Sequence, residues 1–216
     1  MCGRFVSPSH EELLQHFGFR AASWAGLARN ENAAPTQAVP VVTGPSAGAL
    51  ARWGLIPPWW KDPKPPRSTF NARIEAASKP TWRQRLKSAR CLVPACAWFE
   101  WKKSPEQKSD RSSGQRFLLR VPGSEVFAFA GLFARWTGPD GVETLSCAIM
   151  TRPPTAGIAH IHDRMPAILP AAAYQAWLAG SQAEAVGAAS RDWGLEIEVV
   201  RMNLDILPTP FEGEES

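Results

Sequence analysis

The feature that most constrains the fold is a series of short apolar segments, each about as long as a β-strand and each ended by turn-forming residues. Helix-like segments are fewer, and they do not alternate regularly with the strands. No internal repeat and no linker divides the chain, so we predict a single α+β domain over residues 1–216, built on antiparallel sheets with a few peripheral helices. The strand-like segments are AVPVVT, GALARWGL, CLVPACAWFEW, QRFLLRV, VFAFAGLFARW, ETLSCAIMT and EIEVVRMN.

Three segments carry helix signals. In SPSHEELLQHFGF, Ser7 or Ser9 can cap the amino end, and Gly18 can end the helix. RIEAASKPTWRQRLKSAR is predicted to be helical on both sides of Pro80. LPAAAYQAWLAG carries a proline near its first helical position, where a missing N–H does no harm.

Three other segments are predicted to be irregular. IPPWWKDPKPPRS contains five prolines in thirteen residues and must be a loop. The polar segment 102–115 is predicted to be a mobile loop, and the acidic tail 211–216 is predicted to fray.

The charge is distributed unevenly along the chain. Residues 52–120 contain sixteen Lys and Arg against five Asp and Glu, whereas the remainder contains eight against fifteen. Such a chain can present one positive face to a polyanion, or it can spread the charges over several faces. Charge alone does not decide between the two.

The sequence shows no sign of export, membrane insertion or a bound cofactor. No apolar run approaches the roughly 18 residues of a membrane span, and the start lacks a signal peptide, so we expect a cytoplasmic protein. A phosphate-binding glycine loop and an HExxH motif are both missing, so no cofactor or metal is expected. The four cysteines, at positions 2, 91, 96 and 147, have no CxxC spacing. Cys91 and Cys147 lie in apolar segments and are predicted to be core residues.

The chain starts with MCGRF, which places a cysteine at the second position. If Met1 is removed, Cys2 carries both an α-amine and a thiol. An α-amine has a lower pKa than a lysine, so its unprotonated fraction at pH 7 is roughly a few hundredfold larger. Such an amine can form a Schiff base with an aldehyde, and the thiol can close it to a thiazolidine. Alternatively, Met1 is retained, or Cys2 is only the buried start of a strand.

Glu100 lies between Phe99 and Trp101, late in the apolar segment CLVPACAWFEW. One interpretation is an alternating strand in which Glu100 faces water. The other is an enclosed pocket, where the pKa of Glu100 would rise and suit a general acid/base. The sequence leaves both open.

The segment AHIHDRMP carries His160, His162, Asp163 and Arg164. A metal site would need a third ligand, which is not apparent. A single histidine acting as a proton shuttle beside Arg164 is more economical. A hydrogen-bonded loop histidine explains the segment equally well.

Two further segments have the chemistry of nucleic-acid binding. In STFNARIEA, Asn71 and Arg73 would share one face of a strand and could bind a phosphate, but in a helix they would be capping and surface residues. In PPWW, Trp59 and Trp60 follow two prolines within a basic loop. Exposed tryptophans there could stack on the bases of single-stranded nucleic acid, or they could cover a flank of the core.

Together these segments form a specific combination. The chain resembles the SRAP family, the SOS-response-associated peptidase-like proteins that act on abasic sites in DNA. The resemblance spans about residues 2–170, and it implies a compact α+β domain with barrel-like antiparallel sheets. It also implies a partner, single-stranded DNA with abasic sites, and a monomer associated with the nucleoid when bound to DNA. The motifs that carry it are MCGRF, NAAPTQAVPVV, RWGLIPPWW, FNARIEA, RCLVPACAWFEW and IHDRMP.

The resemblance implies four catalytic residues. Cys2 would form the covalent thiazolidine with the ring-opened abasic sugar, and Asn71 would position that sugar. Glu100 would be the acid/base group that assists ring opening, and His162 would support the Schiff-base chemistry and reversal of the crosslink.

The resemblance also implies a group of DNA-binding residues. The arginines would contact phosphates or line the site, the tryptophans would wedge against bases, and the other two residues would line the DNA groove. The arginines are Arg4, Arg73 and Arg164, the tryptophans are Trp59 and Trp60, and the two residues of the groove are Pro35 and Thr151.

The chain departs from the family pattern at one place. The family commonly has Gly-Phe-Tyr before the Glu-Trp pair, and here the three residues 97–99 are Ala-Trp-Phe, so a tyrosine hydroxyl is missing. Cys96 adds a second thiol next to them, for which packing is the expected role.

Two alternative functions stay open. The first is a thiol peptidase that uses Cys2, His162 and Glu100, including removal of Met1, and the second is a non-covalent single-strand binding module.

Overall fold

Two β-sheets contain most of the regular structure in the computed structural model, which describes residues 2–66, 68–102 and 114–202. The predicted segments 102–115 and 211–216 lie largely or wholly outside the described residues. The strands are β1 (Arg4–Ser7), β2 (Asn30–Ala33), β3 (Ala38–Gly44), β4 (Ala47–Trp53), β5 (Asn71–Arg73), β6 (Arg90–Ala95), β7 (Ala97–Lys102), β8 (Gln115–Arg120), β9 (Phe127–Thr137), β10 (Glu143–Arg152), β11 (Met165–Pro166), β12 (Ile168–Leu169) and β13 (Glu198–Arg201).

The second sheet closes on itself, whereas the first is open. The first sheet is antiparallel and has the order β13–β8–β7–β1–β2. In the second, β10 pairs with both β4 and β9, which closes the ring β10–β4–β3–β6–β9. The expected α+β domain with a barrel-like sheet is confirmed. The sheets are not wholly antiparallel, because β10 runs parallel to β4 and β5.

Within the described ranges, four α-helices cover the barrel: α1 (His10–Phe17), α2 (Pro80–Ser88), α3 (Tyr174–Ala179) and α4 (Gln182–Ser190). Of the two possible caps for α1, the structure uses Ser9, whose Oγ accepts from Glu12 N at 3.3 Å while Glu12 Oε2 accepts from Ser9 N at 2.7 Å. Gly18 ends this helix with φ of 72°, a conformation that favours glycine.

Side chains along β9 point alternately toward the helices and toward the barrel interior. The alanines at 128, 130 and 134 pack in the cluster that contains the helices, and their small side chains permit close approach. Phe127 and Phe129 face the other way, into a core formed by the barrel interior and the inner face of the first sheet. That second core also contains Cys91 and Cys147, both fully buried, so the predicted packing role of these two cysteines is confirmed.

Two predictions of secondary structure were wrong in part. CLVPACAWFEW is not one strand, because the chain passes from the barrel to the first sheet at Cys96, whose N–H donates to Val6 O at 2.9 Å. The helix expected before Pro80 is only a 3-10 turn over Ile74–Ala76, and α2 begins at Pro80 itself. Among the described residues, no helix is long and apolar enough to cross a bilayer.

Candidate active site

Cys2 is completely buried at the entrance to β1, which lies between β7 and β2. Its carbonyl oxygen accepts a hydrogen bond of 2.7 Å from Asn71 Nδ2, a residue 69 positions further along the chain. Burial raises the pKa of the Cys2 thiol well above its ordinary value, and the carboxylate of Glu100 raises it further. The thiol is therefore protonated at neutral pH.

Asn71 reaches Cys2 because β5 is attached to the barrel. The strand pairs in parallel with β10, with Asn71 opposite Ile149 and Arg73 opposite Thr151. This geometry confirms the strand interpretation of the NAR segment. The Asn71 side chain is 9% exposed, and its Oδ1 has no hydrogen-bond partner among the described residues. A buried acceptor of this kind is available to a hydroxyl or an amine of a bound substrate.

Glu100 is only 1% exposed, so the interpretation in which it faces water is wrong and the carboxyl group is enclosed by protein. Glu100 shares its face of β7 with Trp98, and this face is turned toward the core that contains Phe127 and Phe129. Burial raises the pKa of Glu100 to about 7, the positive amino terminus opposes the shift, and the charge of Asp163 adds to it. Both protonation states are thus populated near neutral pH, as a general acid/base requires.

We expect Glu100→Gln to stabilise the fold in a pH-dependent way. In the unfolded chain Glu100 ionises near its ordinary pKa of 4.5, whereas in the native protein its pKa is about 7. Native stability therefore falls as the pH rises between these values, and the loss is complete above 7. The variant should be more stable than the wild type by about 3 kcal/mol at pH 8 and by little at pH 5.

Urea unfolding of both proteins at several pH values measures this difference. Glu143→Gln is the matched control, because Glu143 is exposed and paired with Arg135, and it should show no gain that grows with pH. A Glu100→Gln difference that stays constant from pH 5 to 8 would contradict the assignment of a raised pKa.

His162 contacts two groups that demand different protonation states. Its Nδ1 lies 3.0 Å from the backbone N of Arg164 and 2.8 Å from Asp163 Oδ1. Nδ1 can accept from the N–H only when it is unprotonated, and it can donate to the carboxylate only when it carries a proton. The side chain is 18% exposed, so solvent reaches part of the imidazole.

Arg164 is held inside the protein by a bidentate ion pair. Nη1 and Nη2 lie 2.8 and 2.9 Å from the two carboxylate oxygens of Glu75, and Nη2 also donates to Thr151 O at 2.6 Å. The hydrogen bonds from Arg164 lower the pKa of Glu75, which keeps this carboxylate ionised. Arg164 therefore links the loop of His162 to Glu75 after β5 and to Thr151 in β10. Its contact with a DNA phosphate stays a prediction.

Sequence reasoning missed Glu75 as a member of this site. Its partner Arg164 is 89 positions away in the chain, and only the fold brings the two together. The available signal was the acidic residue in FNARIEA, two positions after Arg73.

The two tryptophans of the proline-rich loop differ in exposure. Trp59 is 63% exposed, whereas Trp60 is half-buried and is held by hydrogen bonds from its Nε1 to Lys64 O (3.0 Å) and from Trp136 Nε1 to its own carbonyl (2.7 Å). The loop thus fixes Trp60 and presents Trp59 to solvent. Pro35 is half-buried in the turn between β2 and β3.

The residues that depart from the family pattern pack in two different cores. Trp98 is fully buried on the same face of β7 as Glu100, and it packs edge-on against Phe127 and Phe129. Cys96 lies in a separate cluster with Phe99, where burial raises the pKa of its thiol to about 12. Its thiol is accordingly protonated at neutral pH, in agreement with the expected packing role.

The described residues contain no group of three His, Cys, Asp or Glu side chains that could hold a metal ion. What the fold brings together is a buried cysteine, an asparagine that binds its backbone and a glutamate that titrates near neutral pH. The sequence matches the family model of the SOS response associated peptidases (SRAP) over residues 1–202. This chain belongs to the SRAP family, and the resemblance of its motifs is confirmed.

Relatives of the chain come from bacteria and vertebrates. The abasic site processing protein YoqW of Bacillus subtilis is 37% identical over 184 residues, which cover 82% of this chain and 80% of YoqW. The abasic site processing protein HMCES of Xenopus tropicalis is 34% identical over 138 residues, or 56% of this chain and 41% of HMCES.

The fold also occurs in solved structures. A crystal structure of a protein from Bacteroides thetaiotaomicron matches with a TM-score of 0.83 at 22% identity, over 94% of this chain and 92% of that protein. A second, from Bordetella bronchiseptica, matches with a TM-score of 0.78 at 20% identity, over 94% of this chain and 100% of that protein. At such identities the similarity supports the fold alone.

Proposed function

We propose that this protein processes abasic sites in single-stranded DNA by forming a covalent thiazolidine through Cys2 after Met1 is removed. The adduct would shield the abasic site during the response to DNA damage. The observation that carries the proposal is the hydrogen bond of 2.7 Å that joins Asn71 to Cys2, next to a glutamate whose pKa is about 7. The names of the relatives support the substrate.

The chemistry needs only protons to move. An abasic site is an aldehyde in equilibrium with its closed sugar. The α-amine of Cys2 adds to the aldehyde carbon, and loss of one water gives a Schiff base. The thiol then adds to the C=N bond, so that a C–S bond forms and the nitrogen gains the thiol's proton. The sum is condensation of one aldehyde and one aminothiol with release of one water.

Glu100 suits two of these steps. In its protonated form it can donate to the ring oxygen as the sugar opens and to the hydroxyl that leaves as water. In its ionised form it can take the proton of the Cys2 thiol, which burial keeps on the sulfur at neutral pH. The pKa of about 7 makes both forms available in turn.

Asn71 and His162 would complete the site. Asn71 fixes the Cys2 backbone through Nδ2, and its unoccupied Oδ1 can accept from a sugar hydroxyl. His162 contacts both a donor and a carboxylate through Nδ1, so it can give or take a proton as the Schiff base forms and as the crosslink reverses.

A thiol peptidase fits the geometry less well. A cysteine nucleophile of that kind acts as a thiolate, and its pKa is normally lowered. Here burial and Glu100 raise the pKa of the Cys2 thiol. A sulfur that attacks second, on a Schiff base already formed by the amine, does not need that activation.

The proposal is tested on a denaturing gel. Purified protein, shown by mass spectrometry to begin at Cys2, is mixed with a single-stranded oligonucleotide that carries one uracil, with and without uracil glycosylase. A shifted band that needs the glycosylase supports the proposal. Absence of the band would contradict it and leave the peptidase or the non-covalent binding module.

Arg73 is expected to contact a phosphate of the bound strand. It is exposed at the end of β5 and forms no ion pair within the described residues, in contrast to Arg164. We expect Arg73→Gln to weaken binding to any DNA sequence and to reduce the slope of log K against log salt by about 0.7, the value for one phosphate of a single strand.

Fluorescence anisotropy with an unmodified oligonucleotide over a salt titration measures the slope. Arg29→Gln is the control, because Arg29 is bound to the carboxylates of Glu12 and Glu31 and should leave the slope unchanged. An Arg73→Gln protein with the wild-type slope would remove Arg73 from phosphate binding.

A further inference from the structure

Two arginines share the face of the first sheet that is opposite to Glu100. Arg4 on β1 is paired with Phe99 on β7, and Arg116 on β8 is paired with Trp101 on β7. Cross-strand partners project to the same face, and Phe99 and Trp101 lie two residues apart, so all four side chains project together. We call this the outer face of the first sheet.

Arg116 is buried, and no acidic side chain among the described residues pairs with it. The residue is 7% exposed, and its Cζ lies 5.6 Å from the centroid of the Trp101 ring. Its Nε has no hydrogen-bond partner, and the guanidinium forms no ion pair within the described residues. A buried cation is costly unless an anion or a set of acceptors meets it, and a ring face compensates only part of that cost.

Arg4 is in a similar state. It is half-buried, and it too forms no ion pair among the residues that the structure describes. Burial, followed by the neighbouring charge of Arg116, lowers the pKa of its guanidinium. The strands β1 and β8 lie two positions apart in the sheet, about 10 Å, so two long side chains can converge over β7. An anion between the two guanidinium groups would offset their repulsion, since neither has an acidic partner in the part of the chain that the structure describes.

We propose that Arg4 and Arg116 together form a phosphate-binding subsite on the outer face of the first sheet, which takes a phosphodiester of the bound DNA strand. The planar fork of each guanidinium matches the oxygens of a phosphate, and the Trp101 ring holds Arg116 in one orientation. This subsite rests on the proposed function.

The position of the subsite favours a phosphate close to the crosslinked nucleotide. Arg4 follows Cys2 by two residues, so their Cα atoms are at most about 7 Å apart. A strand whose abasic sugar is bound to Cys2 therefore has a neighbouring phosphate within reach of Arg4. Arg116 would hold the same group from the far side of β7 and would fix the direction in which the strand leaves the site.

The subsite is tested by the salt dependence of binding to an unmodified oligo-dT. For Arg116→Gln we expect an affinity about tenfold weaker at low salt and a slope smaller by about 0.7. Arg116→Lys, which keeps the charge, should retain most of the slope. Arg120→Gln is the control, because Arg120 lies on the same strand, is exposed and is paired with Glu198. Thermal unfolding checks that each variant is folded.

Arg4→Gln extends the test. If both arginines hold one phosphate, the double variant should lose much less than the product of the two single losses, because the second substitution removes a partner of an interaction already broken. Multiplicative losses would overturn the shared subsite. A wild-type slope in Arg116→Gln, with normal binding and crosslinking by the wild type, would overturn this inference alone. Failure of the wild type to bind the oligonucleotide would overturn it together with the proposed function.

Discussion

Replacement of Cys2 by alanine is expected to abolish the denaturant-resistant DNA adduct and to leave reversible DNA binding unchanged. The variant still has an α-amine at its start once Met1 is removed, so it can form a Schiff base with the abasic aldehyde. It lacks the thiol that closes the ring, and an open Schiff base hydrolyses when the protein is denatured. The yield of adduct should fall at least about 100-fold.

Borohydride distinguishes formation of the Schiff base by the amine from closure of the ring by the thiol. The reductant converts a Schiff base into a stable amine, so Cys2→Ala treated with borohydride during the reaction should again give a shifted band. Cys96→Ala is the matched control, since it removes a thiol whose pKa is about 12 and which lies in a different core, and its adduct should form normally. A full yield of adduct from Cys2→Ala without borohydride would show that the linkage does not involve Cys2.

Replacement of Glu100 by glutamine is expected to slow adduct formation by about 10²- to 10⁴-fold, the usual contribution of a general acid/base. Glutamine keeps the shape of the side chain and cannot exchange a proton. Binding of undamaged DNA should be unchanged, because Glu100 is 1% exposed and cannot touch the bulk of the strand. Rates measured in single turnover over a range of pH provide the test.

The pH profile distinguishes a proton-transfer role from a structural one. For the wild type, the rate should change its pH dependence near the pKa of Glu100, about 7, and this inflection should vanish in Glu100→Gln. Glu198→Gln, which changes an exposed glutamate bound to Arg120, should keep both the rate and the inflection. An unaltered inflection in Glu100→Gln would assign the titration to another group.

The parts of the fold that depend on local chemistry could be predicted from the sequence. The Ser9 cap and Gly18 define α1 because both act within one helix. The strands of the barrel followed from their apolar residues and turn signals. By contrast, α4 was missed, although Ser181 and Glu184 form the same kind of capping box, because its alanines give little amphipathic contrast.

The parts of the site that depend on distant pairing could not be predicted. Whether Glu100 faces water depends on what packs against its face of β7, and the aromatic residues that cover this face, Phe127 and Phe129, come from the distant strand β9. The ion pair of Arg164 with Glu75 spans 89 positions, and only the pairing of β5 with β10 brings it about. For Arg116, the sequence shows only one more positive charge in a basic segment. The structure shows that this cation is buried and has no acidic partner among residues 2–66, 68–102 and 114–202.

Strand β10 has a consequence for how the site is held together. Its residue Ile149 is in register with Asn71, and two positions later Thr151 receives the hydrogen bond from Arg164. The same strand closes the barrel between β4 and β9. Asn71, which binds the Cys2 carbonyl, and Arg164, which holds the loop of His162, are thus both attached to one strand, two residues apart in register.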